Sequence, residues 1–145
     1  MYSLRNQKPE DYEFLRDLQH QSYRDVILLQ FGDWDRKRQD ELFEKNYNLN
    51  SPHQIIQYKN KDMGVLKIVE KADEIKIQEL QILPKYQNMG IGSSILKNLI
   101  KQSYDSSKTL KLEVLRMNKA ATLYQRLGFE TYKITDKKFF MQKEK

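Results

Sequence analysis

The chain has 145 residues, 39% hydrophobic and 11% aromatic, with 26 Lys and Arg against 20 Asp and Glu, a make-up that fits one folded domain and excludes a disordered or low-complexity polymer. The absence of Cys excludes a disulfide framework, a thiolate zinc site and a cysteine nucleophile together, so any chemistry falls to oxygen and nitrogen groups. Residues 1–6 lack the apolar core of a signal peptide and no stretch approaches the ~20 apolar residues of a membrane span, so a cytoplasmic protein with no membrane partner is expected.

Tyr2 to Arg5 alternates as a short strand. Lys8-Pro9-Glu10-Asp11 then has the form of a helix start, and Tyr12, Leu15, Leu18, Ser22 and Val26 recur at helical spacing. Gly32-Asp33 breaks that pattern. Asp33 is placed to cap a second helix carrying Trp34, Leu42, Phe43 and Tyr47, which ends in the Asn-rich run from Asn46 to Asn50 before Ser51-Pro52. The runs His53 to Tyr58 and Gly64 to Val69 flank the polar turn Lys59-Asn60-Lys61-Asp62, as in a hairpin. From Ile75 to Leu83 the apolar residues change parity, from Ile75 and Ile77 to Leu80 and Ile82. This means either a strand buried on both faces or one extra residue, and a β-bulge near Gln78-Glu79 is the preferred reading.

Gly92 to Gln102 reads as a helix, with Ile91, Ile95, Leu96, Leu99 and Ile100 on one stripe. Leu110, Leu112 and Val114 alternate as a strand. Asn118 to Leu127 is a short helix stopped by Gly128 in the position of a left-handed cap, after which Phe129 turns back into the core. Strands around Tyr132 to Ile134 and Phe139 to Met141 follow. The order β-α-α-β-β-β-α-β-α-β-β describes one α/β domain over residues 1–145, a mixed sheet with helices on both faces. Ile75 to Leu115 forms its parallel strand-helix-strand unit.

Charge is unevenly divided. Residues 1–92 carry 14 Lys and Arg against 15 Asp and Glu, whereas residues 93–145 carry 12 against 5. Lys97, Lys101, Lys108 and Lys111 are interleaved with the helix and strand patterns and are not gathered in a tail or an aromatic groove, which favours a phosphate-bearing small ligand over nucleic acid. A place for such a ligand lies between Gln81 and Ser94, where a strand ends at Pro84 and a helix starts after Gly90 and Gly92. Unpaired first-turn amides and the positive end of the helix dipole suit a pyrophosphate, and Ser93 and Ser94 add hydroxyl donors. A Walker loop would need Gly-Lys-Ser/Thr, and the dinucleotide fingerprint a Gly where Ile95 stands.

Gln87-Asn88-Met89-Gly90-Ile91-Gly92, preceded by Leu80-Gln81-Ile82-Leu83-Pro84, resembles the Gln/Arg-x-x-Gly-x-Gly/Ala signature of the GNAT N-acetyltransferase superfamily. Val114 to Phe129, with Asn118, the Leu123-Tyr124 pair and the closing Leu127-Gly128-Phe129, is similar to that superfamily's strand-five-to-helix-four region. The resemblance implies an acyl-CoA N-acyltransferase fold and transfer of an acetyl group from acetyl-CoA to a primary amine, by direct attack and without a metal. It also implies a cofactor site. Leu80, Ile82 and Leu83 would meet the pantetheine arm, the amides of Gln87, Asn88, Met89, Gly90, Ile91, Gly92 and Ser93 the pyrophosphate, and Asn118 and Tyr124 the thiol end.

Amine attack needs a proton acceptor, and the leaving thiolate, of pKa ~8.5, gains from a donor. The resemblance makes Tyr124 the acid and Glu113 an alternative base, the place of Glu79 at the β-bulge makes it the first candidate base, and the Ile82 amide would polarise the thioester carbonyl. The acceptor is a small-molecule or peptide amine that the residues leave unnamed, and a homodimer is compatible with the resemblance. The competing reading is a non-catalytic module that holds acyl-CoA or nucleic acid on the same fold. His20 and His53 have no metal-ligand spacing. Phe31, Trp34 and Tyr47 read as core, with a share in an acceptor wall, and Asp33, Asp35 and Asp40 as helix-start residues or as negative charge facing a cationic amine.

Overall fold

The computed structural model describes residues 1–47 and 53–144, so positions 48–52 of the Asn-rich run and Ser51-Pro52 lie outside the described residues. In chain order the elements are β1 (Ser3–Asn6), a 3-10 turn (Pro9–Asp11), α1 (Tyr12–Phe31), α2 (Arg36–Asn46), β2 (Gln54–Tyr58), β3 (Lys61–Glu70), β4 (Glu74–Ile82), a second 3-10 turn (Pro84–Tyr86), α3 (Ile91–Asp105), β5 (Thr109–Leu115), α4 (Ala120–Arg126), β6 (Glu130–Ile134) and β7 (Lys138–Lys143). This is the order expected from the sequence. The strands pair as β1-β2-β3-β4-β5-β7-β6 in a mixed sheet. The β4–β5 pair is parallel, whereas β1–β2, β2–β3, β5–β7 and β6–β7 are antiparallel. Contacts divide the chain into two compact units, Met1–Lys67 with Glu79–Asn88, and Ile68–Gln78 with Met89–Lys145, so β3 and β4 each give a part to both.

The first unit is built on the apolar stripe of α1. Leu15 and Leu18 pack with Phe43 of α2, Ile55 of β2 and Val65 of β3, flanked by Tyr12, Phe14, Tyr47 and Leu83. Leu18 is fully buried, so Leu18→Ala, which removes its contacts and leaves a cavity, would cost about 2–5 kcal/mol. The helix ends at Gly32, whose φ of 79° is the left-handed conformation that glycine adopts without strain. The cap of α2 falls one turn-step later than expected: Asp35, not Asp33, accepts the Arg38 amide at 3.1 Å, and Trp34 precedes the helix. Phe31 is 48% exposed and is not a core residue. The β2–β3 turn is also tighter than the sequence suggests. Lys59 and Asn60 both have positive φ, 51° and 63°, the signature of a two-residue hairpin turn whose twist matches the strands, so Lys61 and Asp62 belong to β3.

In the second unit α3 and α4 pack on β5. Ile91, Ile95, Leu96 and Leu99 of α3 are buried, as are Leu110, Leu112 and Val114 of β5 and Met141 of β7. The helix runs to Asp105, three residues past the expected end. Gly128 has φ 97° and closes α4 as expected, and Phe129 behind it is 2% exposed. Three of the lysines read as phosphate attractants are ion-paired within this unit: Lys101 with Asp105 at 2.6 Å, Lys108 with Glu70 at 2.6 Å and Lys111 with Glu74 at 3.5 Å. The basic excess is therefore partly spent on structural pairs. Among the described residues no helix is long and apolar enough to cross a membrane.

Candidate active site

The pairing of β4 with β5 runs from Glu74↔Thr109 to Ile77↔Leu112 and ends there, next to the Gln78-Glu79 position where the apolar parity changes. Along β4 the buried positions remain odd, Ile75, Ile77 and Gln81, because a polar Gln stands where the alternation calls for an apolar residue; Leu80 and Ile82 are half-buried on the other face. Glu79 is half-buried, not a solvent-side strand residue. Its Oε2 accepts from Gln81 Nε2 at 2.7 Å and from the Tyr23 hydroxyl at 3.4 Å. Gln81 Oε1 in turn accepts from the Ser22 hydroxyl at 2.8 Å.

Beyond the strand, Leu83 N donates to Met63 O at 2.8 Å and Gln87 N donates to Pro84 O at 3.2 Å, closing the 3-10 turn. The Gln87 side chain donates from Nε2 to the Ile82 carbonyl at 2.8 Å. Gln87 is thus a clamp on the end of β4, and its amide is already engaged. Asn88 and Gly90 are left-handed, with φ 64° and 82°. A Cβ on Gly90 would meet nothing within 4 Å, so glycine is needed there for the backbone angle and not for space.

The first intrahelical bond of α3 is Ser94 N to Gly90 O at 3.0 Å, which leaves the amides of Ile91, Gly92 and Ser93 without a helix partner at the positive end of a 15-residue helix. Those donors, with the left-handed turn before them, fit an anionic pyrophosphate. In the second unit Asn118 Oδ1 accepts the Ala120 amide at 2.9 Å, so this side chain also caps α4. Tyr124 is 9% exposed and lies edge-on to Phe129 with centroids 5.8 Å apart. Burial pushes its hydroxyl up to about 12, so at neutral pH it is a proton-bearing phenol.

Glu113 sits on β5 between Lys76 Nζ at 2.6 Å and Lys138 Nζ at 3.2 Å. Burial alone would raise its pKa, but the hydrogen bonds from the two lysines outweigh that and hold the carboxyl below its usual value. In the first unit His20 Nε2 donates to Asp40 Oδ1 at 2.6 Å and the ring stacks edge-on with Trp34 at 5.3 Å, while Tyr47 packs edge-on against Tyr12 at 5.0 Å. Asp40 therefore already has a partner. Among the described residues no group of three His, Cys, Asp or Glu could hold a metal ion. Ser22, Tyr23 and Gln81 around Glu79, and Lys76 and Lys138 around Glu113, were not singled out from the sequence. Only the Glu79–Gln81 spacing, two apart and so on one face of a strand, was a local signal.

A family profile described as the acetyltransferase (GNAT) domain matches residues 50–131. The chain belongs to the GNAT acetyltransferase family. The [ribosomal protein bS18]-alanine N-acetyltransferase of Haemophilus influenzae is 30% identical over 120 residues, 82% of this chain and 75% of that protein. Two solved structures share the GNAT fold. The PaiA N-acetyltransferase of Thermoplasma acidophilum, in complex with coenzyme A, superposes with a TM-score of 0.81 at 18% identity, over 100% of this chain and 99% of that one. The ribosomal-protein-S18-alanine N-acetyltransferase of Escherichia coli superposes at 0.67 and 22% identity, over 99% and 94%. As a GNAT acetyltransferase this chain is an N-acetyltransferase with acetyl-CoA as cosubstrate.

Proposed function

We propose that this GNAT domain, residues 1–145, acetylates a primary amine with Glu79 as the proton acceptor and Tyr124 as a donor to the leaving sulfur. The observation that carries the assignment is the state of the alternative carboxylate: Glu113 is neutralised by two ammonium groups and so is a poor acceptor of a further proton. Glu79 accepts from the Gln81 carboxamide at 2.7 Å and the Tyr23 hydroxyl at 3.4 Å. Bound acetyl-CoA supplies the thioester. Glu79 takes the amine proton as the C–N bond forms and the C–S bond breaks, giving an acetamide and the coenzyme A thiol. The amides of Ile91, Gly92 and Ser93 would hold the pyrophosphate, helped by the Asn88, Met89 and Gly90 turn. Leu80, Ile82 and Leu83 would line the arm, with the Ile82 N–H on the thioester carbonyl and Asn118 near the thiol end.

A phenol near 12 does not transfer its proton to a thiolate of pKa ~8.5 at equilibrium, since the difference of about 3.5 units amounts to roughly 5 kcal/mol. Tyr124 therefore acts by hydrogen-bonding the departing sulfur, and solvent delivers the final proton. The bS18-alanine relative supports a peptide N-terminal amine as the first acceptor to try.

The test starts with a thermal-shift titration. A rise of about 5–10 °C at a hundredfold excess of acetyl-CoA or coenzyme A over Kd is expected, with none for ATP. Thiol release is then followed with a peptide beginning in alanine and with a small diamine. No shift at millimolar acetyl-CoA would overturn the reading.

A further inference from the structure

Ser22 and Tyr23 on α1 and Glu79 and Gln81 on β4 form one connected polar set within the first unit. Residues two apart on a strand share a face about 6.6 Å apart along the chain, and the long side chains of Glu79 and Gln81 close that gap to 2.7 Å. The direction of each bond follows from chemistry. An ionised carboxylate only accepts, so the Gln81 carboxamide must turn Nε2 towards Glu79 and Oε1 towards Ser22, whose hydroxyl then donates at 2.8 Å. Gln81 is 6% exposed, so water does not readily replace either contact. A polar side chain at a buried strand position costs desolvation that a Leu or Met would avoid, with each hydrogen bond returning only about 1 kcal/mol net. Its use at position 81 calls for a reason other than stability.

We infer that Gln81, set in orientation by Ser22, is a positioning residue that holds the Glu79 carboxylate in place for proton transfer. This rests on the proposed role of Glu79. A carboxamide suits the task because it donates to the carboxylate without adding a charge. A lysine in its place would add the charge that Lys76 and Lys138 bring to Glu113. Glu has three rotatable side-chain bonds, whose freezing costs up to about 2 kcal/mol. A bond made before substrate arrives removes that cost from the reaction step.

The experiment measures kcat and KM by thiol release, with whichever of the alanine peptide and the diamine the wild-type chain acetylates. Gln81→Met is expected to lower kcat about tenfold, with the KM for acetyl-CoA and the melting temperature unchanged. Ser22→Ala should lower kcat by about threefold and Ser22→Thr should restore it. In a Glu79→Gln background, Gln81→Met should add no further loss, because the two act as a unit. If Glu79→Gln is slow while Gln81→Met is normal, or if their losses multiply, the positioning role is overturned and the base assignment stands. Normal turnover by Glu79→Gln, or no turnover of either amine by the wild type, overturns both. Should Gln81→Met fail to fold, the Ser22 pair decides: equal rates for Ala and Thr would overturn the inference.

Discussion

Glu79, in the first unit, accepts from a carboxamide and a phenol, whereas Glu113, in the second, lies between two ammonium groups at 2.6 and 3.2 Å. Both carboxylates stand on strands and both are half-buried. They differ in what faces them. A donor without charge orients a carboxylate and stabilises its ionised form less than a pair of cations does, beside which a proton is hard to add. Position on the motif-bearing strands makes either residue a candidate base, and the two lysines beside Glu113 are the reason for proposing Glu79.

The largest effect expected is on turnover. Glu79→Gln should lower kcat by about 10²-fold, in the usual range for loss of a general base, while Glu113→Gln should stay within about twofold, as for loss of a surface-type ion pair. Both are measured by thiol release at saturating acetyl-CoA. The reverse ranking would show that the lysine pair is released in the working enzyme, and the contrast would be broken. Next comes Tyr124→Phe, which removes the proposed donor to the sulfur and keeps the ring against Phe129; a fall in kcat of about 10- to 100-fold with unchanged acetyl-CoA affinity is expected. A fall in affinity without a fall in kcat would make Tyr124 a packing residue only.

The parts of this picture that the sequence made legible are those governed by local chemistry. The glycine turn into α3, the Gly128 stop after α4 and the alternation of β5 depend on neighbours within a few residues, and each lies where it was expected. The hairpin turn was read too long because neither Lys59 nor Asn60 is a glycine, although Asn tolerates positive φ. The α2 cap was misplaced by two positions because Asp33 and Asp35 are chemically equal and only the path of the chain selects one. What the sequence could not show was which side chains α1 and β7 bring to the two glutamates. Tyr23 reaches Glu79 across 56 positions of chain and Ser22 reaches Gln81 across 59, and Lys138 reaches Glu113 only through the β5–β7 register.

Stability offers a second contrast of the same kind. Asp11 is gripped by a fork from Arg5, at 2.8 and 2.9 Å, and also accepts the Lys8 amide at 2.8 Å, whereas Glu113 meets two single-point lysines. The Arg5 hydrogen bonds, ahead of the opposing effect of burial, lower the pKa of Asp11. A lowered folded value means that this stability is present above the unfolded value of about 3.9 and is lost as the pH falls through the folded one. Asp11→Asn should therefore cost about 2 kcal/mol at pH 7, measured by urea unfolding, and the gap to wild type should close towards pH 2. Glu113→Gln should cost less than about 1 kcal/mol. Equal costs would mean that bidentate geometry adds nothing here.

The smallest effect expected concerns His53, whose pKa burial, with a lesser push from Lys67, lowers to about 4. Its ring nitrogen Nδ1 lies 3.3 Å from Gln7 Oε1, which also accepts the His53 amide at 2.8 Å, so the neutral imidazole with the proton on Nδ1 is the form the fold accommodates. The sign is opposite to that of a histidine paired with an acid. Above pH 6.5 both states are neutral and nothing is lost; as the pH falls from 6.5 towards 4 the unfolded chain gains a proton that the folded chain does not, and stability declines. Because the ring is only partly buried, the loss is discounted to about 1 kcal/mol. His53→Gln, which can still donate to Gln7, should flatten the stability profile between pH 6.5 and 4 while leaving the steeper Asp11 limb below pH 4 in place. A variant with the same slope as wild type in that window would show that His53 is hydrated and titrates freely, and that the acid sensitivity of the first unit belongs to Asp11.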